Sequence, residues 1–565
     1  MIPHATRSIP CISASTRSSS RALRSGGPAL ALPVLLLAAL APGRGDAQTP
    51  APGVDTAAHA PARPMARTGA PIIDTILILN HNIFDPGVPS LGPLPALVDA
   101  IHVRTHASVI RRMLFLNQGE PYDSARTVES ARALRALNVF RDVTIDTVRL
   151  AGRLALRVVT ADGWSTKPQW NYSSAGGDVS WAAGLEEDNL LGSATSLTAL
   201  YSVTPDRTSQ SFAYFNPHFI ARRPRLLGVY QDFSDGRRGS WFLGVPFYET
   251  ATPLSLVTYG EAATQRVLSF RDGLLSDDEE RYALRFTAGG GVALRATSRN
   301  YLRLWFTGAW RREDFVPESV TVVPRSVSGT VGAGIELAQT RFHVLQEFNT
   351  YARREDVNLS HVLRLGLWAA PAAWGYPTGQ AGVGAEASGQ VSSVWPGGFV
   401  VLRAATNGVY NGTSMDSARA RGGVTIASQN VASQTLIVHF EGGVLRRPKP
   451  GGQFDTWLDQ TGPRLFGAHA FTGTRTVWIT VEDRVLVVDE LWGLVGVGVA
   501  PFLDWGGAWY DDEMARTGSD LGLALRLGPT RANFGEVQEF AVGWRFGAGL
   551  SRPGWALSVR RGIIF

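Results

Sequence analysis

The residue types that most often act as nucleophiles or metal ligands are few and widely spaced in this chain. The ten histidines are scattered, and the only cysteine is Cys11. The sequence contains no Gly-x-Ser-x-Gly nucleophile elbow, no phosphate-binding glycine loop and no His-Glu-x-x-His zinc motif. The basic residues form no cluster of the kind that binds nucleic acid. We therefore expect no enzyme, no cofactor, no metal and no nucleic-acid partner.

Composition favours a membrane β-barrel over a helical membrane protein. Hydrophobic residues make up 44% of the 565 residues, yet the mean hydropathy is −0.01. Downstream of residue 50 there is no run of about 18 apolar residues, so no transmembrane helix is predicted. The 61 glycines, 16 tryptophans and 25 phenylalanines are typical of a barrel with aromatic girdles. On composition alone, a large soluble β protein is the alternative.

Residues 1–47 have the features of a secretory signal. Arginines precede an apolar segment from residue 28 to 42, and small residues precede a predicted cleavage site after Ala47. Cleavage would remove Cys11, and with it any disulfide, lipid anchor or cysteine-ligated metal. It would also remove five arginines and one aspartate, which lowers the formal charge from +6 to about +2.

The C-terminal segment, like the predicted secretory signal, indicates a protein that is exported from the cytoplasm. Residues 554–565 form an aromatic-rich segment of strand length that ends in Phe565, as bacterial outer-membrane barrels commonly end. An export signal at one end and such a segment at the other predict a protein of the bacterial outer membrane.

The sequence after the signal divides into three parts. Residues 48–70 are rich in alanine, proline and glycine, which predicts a flexible linker. Residues 71–163 show helical and strand periodicities in turn, which predicts a small α/β domain. Residues 164–565 show no convincing helix, and short alternating segments separated by turn residues recur along them.

The small α/β domain is predicted from its periodicity and its helix caps. Thr105 can cap a short helix that runs to Leu114, and Asp123 or Ser124 can cap a second helix. The apolar residues of the predicted elements fall into four groups. In chain order they are Ile72, Ile73, Ile76 and Ile78 (strand), Val128, Ala131 and Leu134 (one helix face), Val143, Ile145 and Val148 (strand), and Leu154, Leu156 and Val158 (strand).

The large C-terminal part predicts a transmembrane antiparallel barrel. Alternating segments such as 195–203, 302–310, 330–336 and 476–481 have one apolar and one polar face. A barrel must close, because an open edge in lipid would leave backbone groups unpaired. The number of candidate segments lies between sixteen and about twenty.

The small domain resembles the POTRA domains of the BamA/TamA superfamily. The resemblance rests on residues 109–112, on Gly119-Glu120-Pro121-Tyr122, and on a stretch from Leu134 to Val143. By this resemblance Gly119 makes the turn between the helices, and Phe140 and Val143 enter the core from the second strand. The fold that it implies is one periplasmic POTRA domain followed by a sixteen-stranded outer-membrane barrel.

Later blocks resemble the barrel of the same superfamily. Residues 172–192 look like its first hairpin, and residues 481–484 and 502–507, which include Gly506, look like two strands that face the lumen. The first and last strands then meet at a seam, to which Trp170, Tyr172, Gly562 and Phe565 belong.

One departure concerns the loop that enters the lumen in the superfamily. The family loop carries an Arg-Gly-aromatic tip, whose arginine contacts acidic groups on those two strands. In residues 464–473, Phe466 stands where the arginine is expected, Gly467 follows it, and Ala468 stands where the aromatic is expected.

The acidic partners of that loop are nevertheless retained, as Glu482 and Asp504. A carboxylate in a narrow, partly desolvated lumen requires a cationic partner. We expect Arg464 or Arg475 to supply it.

The resemblance implies a protein that assists the insertion of other proteins into the outer membrane through a lateral seam. A protein-secretion pore and a passive outer-membrane channel are the alternatives. The expected partners are outer-membrane lipids, unfolded β-barrel or secreted client proteins, and periplasmic accessory proteins. A single POTRA domain favours an accessory or specialised member of the superfamily.

Overall fold

A computed structural model gives the conformation of the chain. It describes residues 70–84, 100, 102–175, 178–220, 223–317, 327–351, 355–376, 381–412, 415–531, 537–547 and 553–563. The predicted signal, most of the predicted linker and Phe565 lie outside the described residues.

The N-terminal domain is a three-stranded sheet packed against two helices. The chain runs through β1 (Ile73–His81), α1 (Ala107–Met113), α2 (Ser124–Arg135), β2 (Phe140–Leu150) and β3 (Arg153–Asp162). The strand order is β1-β3-β2, with β1 parallel and β2 antiparallel to the central strand β3. Among the described residues, no helix is both long and apolar enough to cross a membrane.

Two details of this domain correct the predictions from sequence. Thr105 does not cap α1, because the N-cap of that helix is His106. The amide and hydroxyl of Thr105 donate instead to the buried carboxylate of Asp162, at 2.7 and 3.2 Å. Val128 lies on the outer side of α2 and is 65% exposed, whereas Leu134 is fully buried. Asp123 caps α2 as predicted, because its carboxylate accepts from the second and third amides after it.

Twenty antiparallel strands form one closed barrel. They are β4 (Thr166–Ala175), β5 (Asp178–Glu187), β6 (Ser196–Val203), β7 (Thr208–Asn216), β8 (Arg225–Phe233), β9 (Gly236–Val245), β10 (Leu254–Arg271), β11 (Leu274–Ala296), β12 (Asn300–Pro317), β13 (Val327–Gln339), β16 (His361–Ala370), β17 (Gly382–Trp395), β18 (Gly398–Tyr410), β19 (Met415–Ser428), β20 (Gln434–Arg446), β23 (Arg475–Leu491), β24 (Val495–Trp509), β25 (Gly518–Pro529), β26 (Gln538–Gly547) and β27 (Gly554–Arg561).

The strand number corrects the value that the resemblance implied. The barrel has twenty strands and not sixteen, which is the upper end of the range that the alternating segments allowed. Four shorter strands lie outside the barrel wall: β14 (Phe342–Leu345), β15 (Glu355–Asn358), β21 (Phe454–Asp455) and β22 (Thr472–Gly473). Each belongs to a two-stranded sheet within a loop.

The barrel wall alternates between an apolar outer face and a polar inner face. On β25, Leu521, Leu523 and Leu525 are between 41% and 49% exposed on the outside, whereas Asp520 and Arg526 point inward and are buried. This pattern places hydrocarbon-compatible side chains outside and charged groups inside.

Two loops enter the lumen from opposite ends. We call the barrel end that carries the N-terminal domain the proximal end, and the other the distal end. The proximal plug, of which residues 340–351 and 355–360 are described, contains β14 and β15 and lies between β13 and β16. The distal plug, residues 447–474, contains β21 and β22 and joins β20 to β23.

Candidate functional site

The centre of the lumen holds a cluster of arginines and carboxylates. Arg464 extends from the distal plug and is fully buried, with its Nε 2.6 Å from Asp504 and its Nη1 2.9 Å from Glu482 and 2.8 Å from Glu539. These three carboxylates lie on β24, β23 and β26. One buried guanidinium therefore joins the distal plug to three strands of the wall, by charge-assisted hydrogen bonds to Asp504 and Glu539 and by an ion pair with Glu482.

The main chain next to Arg464 is held by a further carboxylate. The Leu465 amide donates to Asp520 at 2.7 Å, and the Leu465 side chain packs against Ala500, Phe502 and Ala524 of the wall. Asp520 and Asp504 are direct partners in the β24–β25 ladder. The distal plug is thus fixed by both its side chain and its backbone.

The other predicted loop residues have separate places. Arg475 does not reach Glu482 or Asp504; it pairs with Asp511 at 2.5 Å near the distal end of the barrel. Phe466 packs against Phe471 in an apolar cluster at the tip of the distal plug. The remaining two are glycines: the Gly467 carbonyl accepts from Ala470, and Gly506 has the Val477 carbonyl 2.4 Å from where a Cβ would lie.

Arg484, two residues after Glu482 on β23, joins three other parts of the molecule. Its Nε donates to Glu482 at 2.6 Å, its Nη1 donates to the Phe348 carbonyl of the proximal plug, and its Nη2 donates to the Ile563 carbonyl at 2.8 Å. Ile563 follows the last strand, β27. Glu482 therefore links both plugs, through Arg464 and Arg484, to the end of the chain.

The seam between the first and last strands differs from the rest of the barrel. The nineteen other neighbouring pairs of barrel strands each have a ladder of seven or more paired residues. Strands β27 and β4 are hydrogen-bonded neighbours that close the ring, but among the described residues they make the least extensive contact of any neighbouring pair of barrel strands.

The predicted seam residues have these positions. Trp170 and Tyr172 point outward from β4 and are 51% and 40% exposed. The Trp170 carbonyl accepts a bond of 3.4 Å from the side chain of Gln538, on β26, and Gly562 donates to the Val537 carbonyl at 2.8 Å. The C-terminal end of the wall is thus held by β26 and its preceding loop. Phe565 lies outside the described residues.

The distal mouth is covered by the tall β10–β11 hairpin. In the twenty-strand ring β10 and β24 are on opposite sides, yet Arg271 at the hairpin tip pairs with Asp512 and Glu513 after β24, at 2.9 and 3.0 Å. The Tyr510 hydroxyl also donates to the Phe270 carbonyl at 2.9 Å. The hairpin therefore crosses the opening and rests on the far wall.

His469 of the distal plug lies beneath that hairpin between two carboxylates. Its Nδ1 is 2.5 Å from Asp455, its Nε2 is 3.0 Å from Asp206 in the β6–β7 turn, and its ring stacks on Phe270 with 3.6 Å between centroids. Burial alone would lower the pKa of His469, but the hydrogen bonds and charges of Asp206 and Asp455 outweigh it and raise the pKa to about 9. Both ring nitrogens therefore carry protons at neutral pH.

The N-terminal domain is docked onto the proximal end by polar contacts from α2. Arg135 forms a two-pronged pair with Asp356 of the proximal plug, at 2.7 and 2.8 Å. Glu129 accepts from the amide and hydroxyl of Thr250 in the β9–β10 loop, at 2.7 and 3.0 Å. Arg132 lies over the Phe342 ring at 3.9 Å. The domain thus holds the proximal plug from outside the barrel.

The residues predicted for the N-terminal domain are structural. Gly119 has φ +85° in the turn between the helices, and its amide donates to Ile73 at 2.8 Å. A residue with a Cβ would be strained at that φ. Phe140 and Val143 are buried in the core, and Tyr122 packs against its edge.

Sequence reasoning missed the proximal plug, Arg484 and His469. The plug contains only two four-residue strands, which are too short for a periodicity to distinguish them from loop or wall. The sequence places Arg484 in a strand motif but does not reveal its contacts, because the two carbonyl groups to which it donates are 136 and 79 residues away. The available signal was its spacing, because Arg484 lies two residues after Glu482 and therefore on the same inward face of β23.

Comparisons with known proteins gave matches to solved structures alone. No protein-family model and no curated protein sequence matches the chain. BamA from Haemophilus ducreyi lacking POTRA domains 1–3 is 11% identical over 86% of this chain and 84% of its own, with a TM-score of 0.36. CdiB from Acinetobacter baumannii (10% identity, 87% and 74% coverage, TM-score 0.38) and CdiB from Escherichia coli (10%, 90% and 93%, 0.44) are also similar. Identities this low say nothing about activity.

Proposed function

We propose that this chain is an outer-membrane barrel of the BamA/TamA type that passes polypeptides into the membrane through the seam between β27 and β4. The N-terminal domain would be a POTRA domain in the periplasm, so that the proximal end faces the periplasm and the distal end faces the outside. Its partners would be outer-membrane lipids, unfolded clients and periplasmic accessory proteins. The process would need no cofactor and no catalytic residue.

The observation that carries the proposal is the limited contact between β27 and β4 at the seam, which is the least extensive contact between neighbouring barrel strands among the described residues. A wall of hydrogen-bonded strands opens most readily where neighbouring strands share the least contact, because each backbone pair costs free energy to separate in lipid. An opened β4 edge presents free amides and carbonyls, which can pair with an incoming strand. The apolar outer face supports the membrane location, since leucines such as those of β25 would otherwise be exposed to water.

The filled lumen disfavours the passive channel. Two plugs enter the barrel, and the β10–β11 hairpin and the N-terminal domain cover its two ends. A general diffusion pore needs an open water path, which barrels of sixteen to eighteen strands already provide. Four covering elements fit a protein that stays closed until it is engaged.

The test is client folding in proteoliposomes. The purified protein is reconstituted, an unfolded barrel client is added, and folding is followed by protease protection and by heat-modifiable gel mobility. The proposal predicts faster client folding than in empty liposomes. No acceleration, together with steady ion conductance in the same vesicles, would overturn it in favour of a channel.

A secretion pore is the second candidate, and the width of the barrel favours it. Twenty strands enclose more space than the sixteen that the resemblance implied, because barrel diameter grows with strand number. With both plugs withdrawn, the lumen could pass an extended chain. In the same vesicles, a secretion pore would transport a client across the membrane into the vesicle interior without accelerating its insertion into the membrane.

A further inference from the structure

The lumen wall carries an apolar patch at its proximal end, where inward positions are otherwise polar. We call it the seat; it consists of Phe399 and Val401 on β18, Ala427 on β19 and Ile437 on β20, each at most 3% exposed. The next inward-facing positions on these three strands, toward the distal end, are polar: Arg403, Thr425 and His439. An apolar patch that faces a polar lumen requires a cover, since apolar surface in contact with water is unfavourable.

The proximal plug is that cover. Phe348 and Leu359 pack on the seat and are 1% and 0% exposed, and the rings of Phe348 and Phe399 are 5.4 Å apart in an edge-to-face arrangement. The turn that presents Phe348 is built around Glu355, whose carboxylate accepts from the amides of Phe348, Asn349 and Thr350 at 3.0–3.2 Å. Glu355 on β15 therefore fixes the backbone that presents the Phe348 side chain to the seat.

The wall contacts the main chain of the proximal plug. Gln429 donates to the Gln346 carbonyl at 2.9 Å, and Gln390 donates to the carbonyls of Asn358 and Ser360 at 3.0 and 2.9 Å. Ser392 and Arg484 donate to the carbonyls of Leu359 and Phe348. Donors that bind carbonyl oxygens tolerate any sequence with the right backbone, while the seat demands only an apolar side chain.

We propose that the seat is a binding site for an extended polypeptide segment with an aromatic or aliphatic side chain, and that the proximal plug occupies it as an internal competitor. The inference rests on the proposed function, because only a protein that handles polypeptides would meet such a ligand from the proximal end. An incoming segment would displace Phe348, take over the backbone donors and withdraw the carbonyl that Arg484 binds. Since Arg484 also holds Ile563, occupation of the seat would be sensed at the end of β27.

The experiment measures ion conductance of the full-length protein in planar bilayers, with a short peptide as the probe. Phe348→Asp places a charge in the seat and should free the plug, which raises the conductance at least several-fold. Val344→Asp is the matched control, because Val344 lies on the same plug and is 48% exposed. A peptide of residues 342–350, added on the proximal side, should lower the conductance of the Phe348→Asp protein. The same peptide with Phe348→Asp should not.

A direct binding measurement covers the case in which Phe348→Asp fails to fold. Asp356→Asn weakens the hold of Arg135 on the plug and leaves the seat intact. The probe peptide, with a photoreactive phenylalanine at position 348, should then cross-link to β18–β20, and Ile437→Asp should abolish the product. Cross-linking elsewhere, together with conductance that the peptide leaves unchanged, would overturn the proposal. Neither the conductance nor the cross-linking measurement uses a client protein. If the peptide binds the seat but the protein does not accelerate client folding, the proposed function is refuted and the binding site stands.

Discussion

The Arg484 guanidinium donates a hydrogen bond of 2.8 Å to the carbonyl oxygen of Ile563, so that an inward side chain of β23 holds the residue that follows the last strand. The same guanidinium binds the proximal plug at Phe348 and the central carboxylate Glu482. The plug, the lumen cluster and the seam therefore share one side chain. We therefore expect a displacement of any one of these three parts to alter the hydrogen bonds that Arg484 makes to the other two.

Replacement of Arg484 should loosen the seam selectively. Arg484→Gln shortens the side chain and removes its bond to Ile563, while Glu482 keeps Arg464 as a partner at 2.9 Å. We expect faster amide hydrogen exchange in residues 554–563 than in the twelve-residue strand β25, which has a hydrogen-bonded neighbour on each side. The control is Arg531→Gln, which removes a pair with Glu490 at the proximal end. Exchange in β27 that matches the unmodified protein would contradict the coupling.

Arg464 and Arg475 offer a matched comparison of buried and exposed arginines. Arg464→Met leaves three carboxylates without their shared partner, and such a loss typically costs about 3–5 kcal/mol. Arg475→Met removes a partly exposed pair with Asp511, worth about 0–1 kcal/mol. The temperature at which the folded gel band disappears should fall clearly for the first variant and hardly for the second. Equal shifts would refute the central role of Arg464.

His469 should make the distal closure sensitive to alkaline pH. Its folded pKa of about 9 lies above the ordinary value of 6.5, so the stabilisation is complete below pH 6.5 and is lost as the pH rises through 9. The shift corresponds to about 3 kcal/mol. The midpoint temperature of unfolding should decrease as the pH is raised from 6 to 10. His469→Gln should remove most of that decrease. An unchanged pH dependence in His469→Gln would mean that another group is responsible.

The docked N-terminal domain should restrain the proximal plug. Arg135→Ala removes the two-pronged pair with Asp356, both partners of which are largely buried. We expect increased hydrogen exchange in residues 342–351 and 355–360 and in α2. Arg153→Ala is the control, because its pair with Asp74 is exposed on the far side of the domain. An increase confined to the domain would show that the plug is held by the seat alone.

Sequence patterns predicted the wall well, because alternation of apolar and polar residues is a local property. Leu521, Leu523 and Leu525 could be assigned to one face without a structure. The strand number could not be fixed, since strands as short as the four-residue β14 and β15 have no periodicity that separates a strand within a loop from a strand of the wall. Residue spacing alone also could not choose between Arg464 and Arg475. Both are near Glu482 in sequence, and the path of the distal plug decides which of them reaches it.

The most direct test of the seam is a reversible cross-link between β4 and β27. The described part of the chain contains no cysteine, so pairs with one member in residues 169–172 and one in residues 558–561 can be screened for disulfide formation. Client folding in proteoliposomes is then compared before and after reduction. The proposed function predicts that the oxidised protein does not accelerate client folding and that reductant restores the acceleration. Equal acceleration by the oxidised and reduced forms would contradict passage through the seam.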